Sequence, residues 1–586
     1  MASNVPVVAV RGSTGVSINL GPPNYDLVTA FAREDSKNCN AMAFDPQGKY
    51  FAWLNGVSIK IASVSTWRVV ADIARPKVSC LQFSPLGTYL MTWEQPFVTT
   101  ASPTPGPNLH IYKAESGELV KDFIHKRQIG WEPQWSSDEK VCARLVNSDV
   151  LLYENGDLEA PAHRIQNQRV ANYSLSPGGA PYHVLCYVPG KSGQPSFGKL
   201  FQYPKFEAGA FIASKSFFQA DKVDMFWNRV GSAVLLLTST DVDKSGSSYY
   251  GKQSLHALAC RGETAMVLLG KEGPIYCVAW SPKSTEFCVV YGFSPAKATL
   301  FNLKCEPVFE FGTGPRNAIH YNPHGNILLL GGFGNIRGNV ELWDMPNKKL
   351  IAKMDAPDTT LLHWSPDGEH FMTATTWPRL RVGNGFKIWH YTGTLLYERP
   401  WNQQEQLWEV LWQTYPAGVF KEHAVSYRPV EGIQPSQPQA SKQAYRPPCA
   451  RGKESNFKLH DDDELPSNAK PNSDGNPSKA ALKLKKKREA KKAKKEQEGS
   501  APSGVAVTNG DAMTAVTTVK LPPVVAEAEL TDDPEKNKKI KKIRSKLMEI
   551  SRLKEQRAAG RQLELNQLDK IKKEDELLKE LQGLVL

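Results

Sequence analysis

The chain has 586 residues, 41% of them hydrophobic and 23% charged, with a formal net charge of +12 and a mean hydropathy of −0.41. No stretch approaches the roughly 18 consecutive apolar residues of a membrane helix. The Val5 to Val10 run is short, contains Pro6 and lacks a basic region before it, and the nine cysteines are scattered singly with no C-x-x-C; membrane-spanning, secreted and collagenous classes are therefore excluded, and dispersed thiols fit a reduced, cytoplasmic protein better than a disulfide framework or zinc site.

Residues 5 to 20 have the composition of a strand that could close a ring of sheets and remove its free edge. After them a small pattern recurs: an aromatic or apolar residue, a polar-Pro-x-Gly turn, then a new apolar run. It appears as Phe44-Asp45-Pro46-Gln47-Gly48, Phe83-Ser84-Pro85-Leu86-Gly87, Trp280-Ser281-Pro282, Tyr321-Asn322-Pro323-His324-Gly325 and Trp364-Ser365-Pro366-Asp367-Gly368. Weaker copies are Trp135-Ser136-Ser137-Asp138, Leu175-Ser176-Pro177-Gly178, Trp227-Asn228-Arg229 and Trp412-Gln413. From Pro46 to the ninth copy the mean interval is 46 residues, the period of a propeller or solenoid. The runs that follow, such as Phe51-Ala52-Trp53 and Ile327 to Leu330, are strand-like, and no segment of this region holds helical spacing for ten residues. A blade of about four strands would use this length, so residues 1–430 are expected to form an all-β, WD-type β-propeller of nine blades. The repeated aromatic and proline residues are read as packing blade against blade and shaping turns.

Catalytic constellations are thin along this stretch. Asp241-Val242-Asp243-Lys244-Ser245-Gly246 lacks the later Glu of a calcium loop. The glycine-rich run Gly331 to Gly338 has no following helix and no Gly-Lys-Ser/Thr, so it reads as a tight propeller loop and not as a phosphate cradle. His320 and His324 fall on a strand end and a turn, which is poor metal-ligand geometry. No enzyme, cofactor or metal site is expected. Arg379, Arg381 and Lys387 near a blade edge are the propeller-surface candidates for docking, against the alternative that they are ordinary rim charges.

Near residue 430 the composition shifts. Thirteen of the 14 Trp lie before residue 410, the last is Trp412, and aromatics almost vanish after Tyr445. Residues 431–586 carry 32 Lys/Arg and 24 Asp/Glu, two-thirds of the net charge in the last quarter of the chain. Residues 431–478 read as a linker rich in Pro, Ser, Asn and Gln. Within 479–498 lies a lysine-rich run in which nine of thirteen residues are basic: Lys483, Lys485, Lys486, Lys487, Arg488, Lys491, Lys492, Lys494 and Lys495. Such a run suits an RNA backbone; a solvated charge run or a nuclear-import address is the alternative. A second linker spans 499–530. Residues 531–586 open on Thr531-Asp532-Asp533-Pro534-Glu535, a good helix start, and carry two apolar stripes. Ile540, Ile543, Leu547 and Ile550 on the first, with Leu568 and Ile571 on the second, are the candidate helix partner face. These helices are expected to pack on each other as a hairpin or coiled coil, or to clasp a partner.

The whole chain resembles the eukaryotic translation initiation factor 2A family. The resemblance rests on Gly312-Thr313-Gly314-Pro315-Arg316-Asn317, Gly332-Phe333-Gly334-Asn335 through Trp343-Asp344, Tyr249-Tyr250-Gly251, and Arg379-Leu380-Arg381-Val382 through Thr392-Gly393. In the tail it rests on Ala444-Tyr445-Arg446-Pro447-Pro448, the lysine-rich run and the final helices. It implies a propeller that associates with the small ribosomal subunit and helps direct initiator methionyl-tRNA there in a codon-dependent, GTP-independent manner. Messenger RNA and, through the C-terminal helices, other initiation factors are the further partners implied. The competing expectation is a non-catalytic propeller scaffold for protein interactions with no direct tRNA role.

Overall fold

The chain, in a computed structural model, divides into two compact units, Met1–Pro447 and Pro448–Leu586. The residues described are 5–436, except 97–104, 167, 192–193, 208, 219 and 241–250, together with ten helical positions between Ile543 and Lys579. The first unit is a nine-bladed β-propeller, and eight blades are four-stranded antiparallel sheets. Blade 1 runs from the axis outward as Met42–Phe44, Tyr50–Leu54, Ile59–Ser63 and Val69–Ile73. The same order repeats in blades 2 to 8. Their innermost strands are Val78–Phe83, Gln134–Trp135, Asn172–Leu175, Lys222–Trp227, Ile275–Trp280, Ala318–Tyr321 and Leu361–Trp364.

The ninth blade joins the two ends of the propeller. Its innermost strand, Leu407–Trp412, pairs antiparallel with Val7–Gly12, which pairs in turn with Gly15–Leu20. The bridges Val16 with Glu34 and Asn19 with Leu27 supply a rudimentary fourth edge. The N-terminal segment therefore contributes two strands, where composition suggested one, because Ser13-Thr14 make a two-residue hairpin.

Every turn motif found in the sequence, except that at Trp412, joins the first and second strands of a blade. The residue after the aromatic heads the turn: Asp45, Ser84, Ser136, Ser176, Asn228, Ser281, Asn322 and Ser365, all at most 1% exposed. Its amide bonds the carbonyl of the first residue of the second strand, as in Asp45 to Tyr50 at 3.0 Å and Asn322 to Ile327 at 3.0 Å. In six of these turns its side chain also accepts that residue's N–H, for example Tyr50 N to Asp45 Oδ1 at 2.6 Å and Tyr89 N to Ser84 Oγ at 2.9 Å. Only Asp, Asn, Ser or Thr can bond so close to its own backbone, which is why the motif tolerates all three types found here. The closing position is left-handed. Glycine fills it at Gly231 (φ 70°) and Gly368 (φ 76°), whereas Glu139 (φ 56°) and Ser284 (φ 61°) fill it in blades 3 and 6, whose copies lack the glycine. Adjacent turns touch: a Cβ added to Gly231 would collide with the Pro177 carbonyl oxygen of the previous blade. Gly231→Ala is expected to cost about 2 kcal/mol through strain and this clash, read as a lowered urea midpoint with unchanged slope.

The core consists of nine apolar layers, one at each blade interface. Leu54, Ile61, Phe83 and Leu90 fill the space between blades 1 and 2, and Val8, Val10, Met372 and Ile388 that between blades 8 and 9. Tryptophans at the ends of inner strands reach across the interfaces. The Trp280, Trp364 and Trp412 indoles donate to the carbonyls of Phe226, His320 and His363 on the preceding inner strands at 2.8, 3.1 and 3.3 Å.

After Trp412 the chain does not leave the disc. Gln413 and Thr414 bond Val7, Gly48 and Asp45 of blades 9 and 1, and residues 422–436 form a strap over blades 6 to 8, on the side of the strand-one-to-two turns. Glu422 pairs with Lys283 at 3.1 Å, Asn326 donates to the His423 carbonyl at 3.1 Å, and Ser426 N donates to the Tyr391 hydroxyl at 2.8 Å. The Tyr427 hydroxyl donates to the buried Asp344 carboxylate at 2.6 Å while Lys349 lies 4.2 Å from its ring centre. Farther out, Ile433 N bonds the Leu395 carbonyl and Ser436 N the Glu398 carboxylate, both at 2.8 Å. Tyr427→Phe is expected to loosen the strap by removing this hydrogen bond, seen as faster limited tryptic cleavage after Lys421 with little change in the global unfolding midpoint.

In the second unit Ile543 and Leu547 are buried against Leu577 and Leu578, and Lys554 is ion-paired with Glu574. Pairing partners fall in number as the first segment rises, so the two helical segments run antiparallel.

Candidate nucleic-acid interface

The propeller has two chemically different faces. One carries the turns from first to second and from third to fourth strand; it is called the hairpin face here. The other, the connector face, carries the second-to-third turns and the crossovers into each innermost strand. Leaving aside 241–250, the connector face holds thirteen Lys/Arg against six Asp/Glu, whereas the turns of the hairpin face hold nine against thirteen. The segregation follows from the turn chemistry, since the buried turn heads and their neighbours include Asp45, Asp138, Glu139, Asp367 and Glu369. A low-dielectric disc with opposite charge on its two sides orients a polyanion toward one of them.

Arg379 and Arg381 lie exposed in the 376–384 turn of blade 8, on the connector face. That turn is stiffened at its base by Asn384, 7% exposed, which donates to the Leu380 carbonyl at 2.9 Å and accepts from Leu407 N at 3.3 Å. The glycine-rich run expected to be a tight loop is the corresponding turn of blade 7, between Ile327–Gly331 and Asn339–Asp344. It is anchored by Asn317, whose amide bonds both the N–H and the carbonyl of Phe333 at 3.0 and 2.9 Å. The two loops meet, because a Cβ on Gly334 would sit 2.9 Å from Arg379 Nη2. Arg337, also exposed, projects from the same blade 7 loop. Sequence reasoning passed over it by testing that run for a phosphate-loop motif and not for charge; its place in the repeat, opposite Arg379 one blade on, was the available signal.

Lys387 does a different job. It lies on Gly385–His390, opposite Glu398 of the neighbouring strand, and pairs with that carboxylate at 3.0 Å. Burial pushes the Glu398 pKa up, but the Ser436 amide and the Lys387 ammonium hold it below the usual carboxylate range. Lys387 thus helps anchor the strap. Because the lowered carboxyl favours the folded state only while ionised, its contribution is present above the ordinary Glu value and is lost as pH falls through the lowered one. The strap end is accordingly expected to become more protease-sensitive below roughly pH 4.

His320 lies on an inner strand and His324 in the next turn, as expected from the repeat. Burial, with His363 on the neighbouring inner strand, lowers the His320 pKa to about 4, so this imidazole is neutral at physiological pH. Among the described residues no group of three metal-ligating side chains occurs. The lysine-rich run, Lys483 to Lys495, lies outside the described residues, as do Ile540 and Leu568. Of the proposed helix face, Ile543, Leu547 and Ile550 are buried and Ile571 is partly buried; Ile543 and Leu547 face the other helical segment.

Comparison with known proteins places these features in context. A family profile described as "Eukaryotic translation initiation factor eIF2A" matches residues 215–410. A Drosophila melanogaster protein named eukaryotic translation initiation factor 2A is 40% identical, covering 99% of this chain and 98% of its own. A Caenorhabditis elegans protein of the same name is 33% identical, covering 99% of each. A solved structure titled "Crystal structure of the eukaryotic initiation factor" is 31% identical with a TM-score of 0.65, over 71% of this chain and all of that one.

Proposed function

We propose, from the premise that this chain belongs to the eukaryotic translation initiation factor 2A family, that its propeller docks on the small ribosomal subunit by its connector face. The observation that carries this reading is the charge segregation between the faces, concentrated at Arg337, Arg379 and Arg381. Ribosomal RNA presents closely spaced phosphates, and arginine forks bind them bidentately while releasing condensed counterions. The lysine-rich run from Lys483 to Lys495 adds a second cationic grip, on initiator methionyl-tRNA or messenger RNA, and the C-terminal helical unit meets other initiation factors. In this reading the protein is a cytoplasmic, non-catalytic adaptor that helps bring initiator methionyl-tRNA to the start codon without GTP. Base pairing of codon and anticodon then supplies selectivity, and the protein supplies position.

The deciding experiment is co-sedimentation of full-length chain with purified small subunits, in parallel with a chain ending at residue 478. Full-length protein should pellet with the subunit, and the shortened chain should retain that association but lose binding to free initiator tRNA. Unchanged tRNA binding after deletion would remove the tail from the account. Absence of subunit association altogether would leave the protein-scaffold reading in its place.

A further inference from the structure

The connector face holds another feature, in blade 2, away from the arginines of blades 7 and 8. An open cavity of about 650 Å³ is lined by Lys77, Ser79, Trp93, Gln95, Lys126 and Gln128, within the range of small-ligand sites. Lys77 comes from the crossover into blade 2, Gln95 from the end of Tyr89–Glu94, and Lys126 and Gln128 from the crossover into blade 3.

The walls are fixed by hydrogen bonds. Asn108, 2% exposed, donates to the carbonyls of Glu94 and His125, both at 2.8 Å, and accepts from His125 N at 2.7 Å. The Trp93 indole donates to the same His125 carbonyl at 3.1 Å. Ser79 Oγ donates to the Trp93 carbonyl at 3.4 Å, and Gln128 Nε2 to Cys80 Sγ at 3.3 Å. The strand ends and the wall bearing Lys126 are thus held in register, which lowers the ordering cost of binding.

The lining is selective in its chemistry. Among the described residues the lining carries the ammonium groups of Lys77 and Lys126, the carboxamides of Gln95 and Gln128 and the Ser79 hydroxyl, and no carboxylate. The adjacent Glu94 lies 3.8 Å from the Arg75 guanidinium, and Arg127 adds positive charge beside Lys126. Ammonium groups bind phosphate as point charges, and carboxamides, donor and acceptor together, match the edges of heterocyclic bases. Trp93 is only 4% exposed, so recognition here works through base edges and phosphate and not through stacking.

We propose that this cavity binds a phosphorylated nucleotide of single-stranded RNA, giving the connector face a second RNA contact distinct from the arginine cluster. The assignment rests on the reading of that face as the RNA side and adds the ligand class and its residues. The test uses the full-length chain, a fluorescent single-stranded RNA ten-mer carrying 4-thiouridine, and the variant Lys77→Glu/Lys126→Glu. The variant should keep its thermal midpoint, bind on the order of tenfold more weakly, and show a log K against log salt slope smaller by about 1.4, two single-strand phosphate contacts. Crosslinks in the unaltered chain should map to 77–96 or 124–128. Equal binding by the folded variant with no crosslink there overturns the assignment. So does competition by free UMP, or by polyglutamate, as effective as that of the RNA, since the ligand would then be a free nucleotide or any polyanion. An Arg337/Arg379/Arg381 variant that loses the small subunit, beside a lysine variant that binds RNA normally, overturns this inference alone; the reverse pair of results overturns the docking reading alone.

Discussion

Val10→Asp is expected to destabilise the propeller by about 3–5 kcal/mol, the range for an uncompensated charge in a packed interior. Val10 is 2% exposed, pairs with Val410 on one side and Ser17 on the other, and belongs to the layer with Met372, Ile388, Leu407 and Trp412. The effect should exceed that of a comparable change inside a four-stranded blade. Among the described strands Val7–Gly12 lies between Leu407–Trp412 and Gly15–Leu20 and pairs with both, so disturbing it opens the ring and exposes two strand edges to other chains. A fall of many degrees in the thermal midpoint, with concentration-dependent association, is the expected readout. The introduced carboxyl would titrate above its unfolded value, because burial disfavours its charged form. The deficit should therefore narrow as pH falls toward 4, where the folded state carries the acid neutral, and be largest at neutral pH. A midpoint equal to that of the parent at pH 7 would show that closure through the N-terminal strand does not hold the ring.

Arg337→Glu/Arg379→Glu/Arg381→Glu is the second large expectation, on association with the small subunit and not on stability. All three side chains are exposed in loops whose bases are held by Asn317 and Asn384, so the fold should be unaffected. If each arginine meets one phosphate, losing three contacts reduces the salt slope by roughly 2–3. The parent's advantage over the variant should then shrink on the order of 40-fold between 50 and 200 mM salt. The control reverses three lysines of the hairpin face, Lys140, Lys304 and Lys348, with the same change of net charge. Equal loss in both variants would reduce the effect to net charge and remove the face preference.

Much of the propeller was legible because its turn motif has a physical cause visible in one dimension. A polar residue that bonds its own backbone, followed by a left-handed position, is needed wherever the first strand of a blade doubles back, and it recurs every 46 residues. The motif lost its glycine where Glu139 and Ser284 took that position, and a neighbour's hydrogen bond offsets the strain there, which composition cannot reveal. Leu86 N to Glu139 Oε1 at 2.7 Å and Val230 N to Ser284 Oγ at 3.3 Å are those bonds. The strap escaped notice for the opposite reason. Residues 422–436 hold no periodic pattern, and their attachment depends on Asp344, Tyr391 and Glu398, each of which looks ordinary in its own repeat. Arg379 and Arg381 stand out in sequence as closely spaced charges, but the approach of Arg379 to the blade 7 loop that carries Arg337 is a property of the ring. Lys387 stood out equally and proved to be neutralised, because its cross-strand partner Glu398 lies eleven residues on and is visible only in the register.

The ninth blade also dictates an order of events during synthesis. Val7–Gly12 is among the first strands to emerge and Leu407–Trp412 is the last of the disc, so at about 5–20 residues per second the leading strand waits on the order of a minute or less for its mate. Throughout that interval the nascent polypeptide presents an apolar ribbon with an unfilled edge, making it a natural client for chaperones that guard emerging chains. Premature termination anywhere before Leu407 would release a horseshoe with two sticky ends, so even a nearly complete fragment should be cleared and not persist as a partly working product.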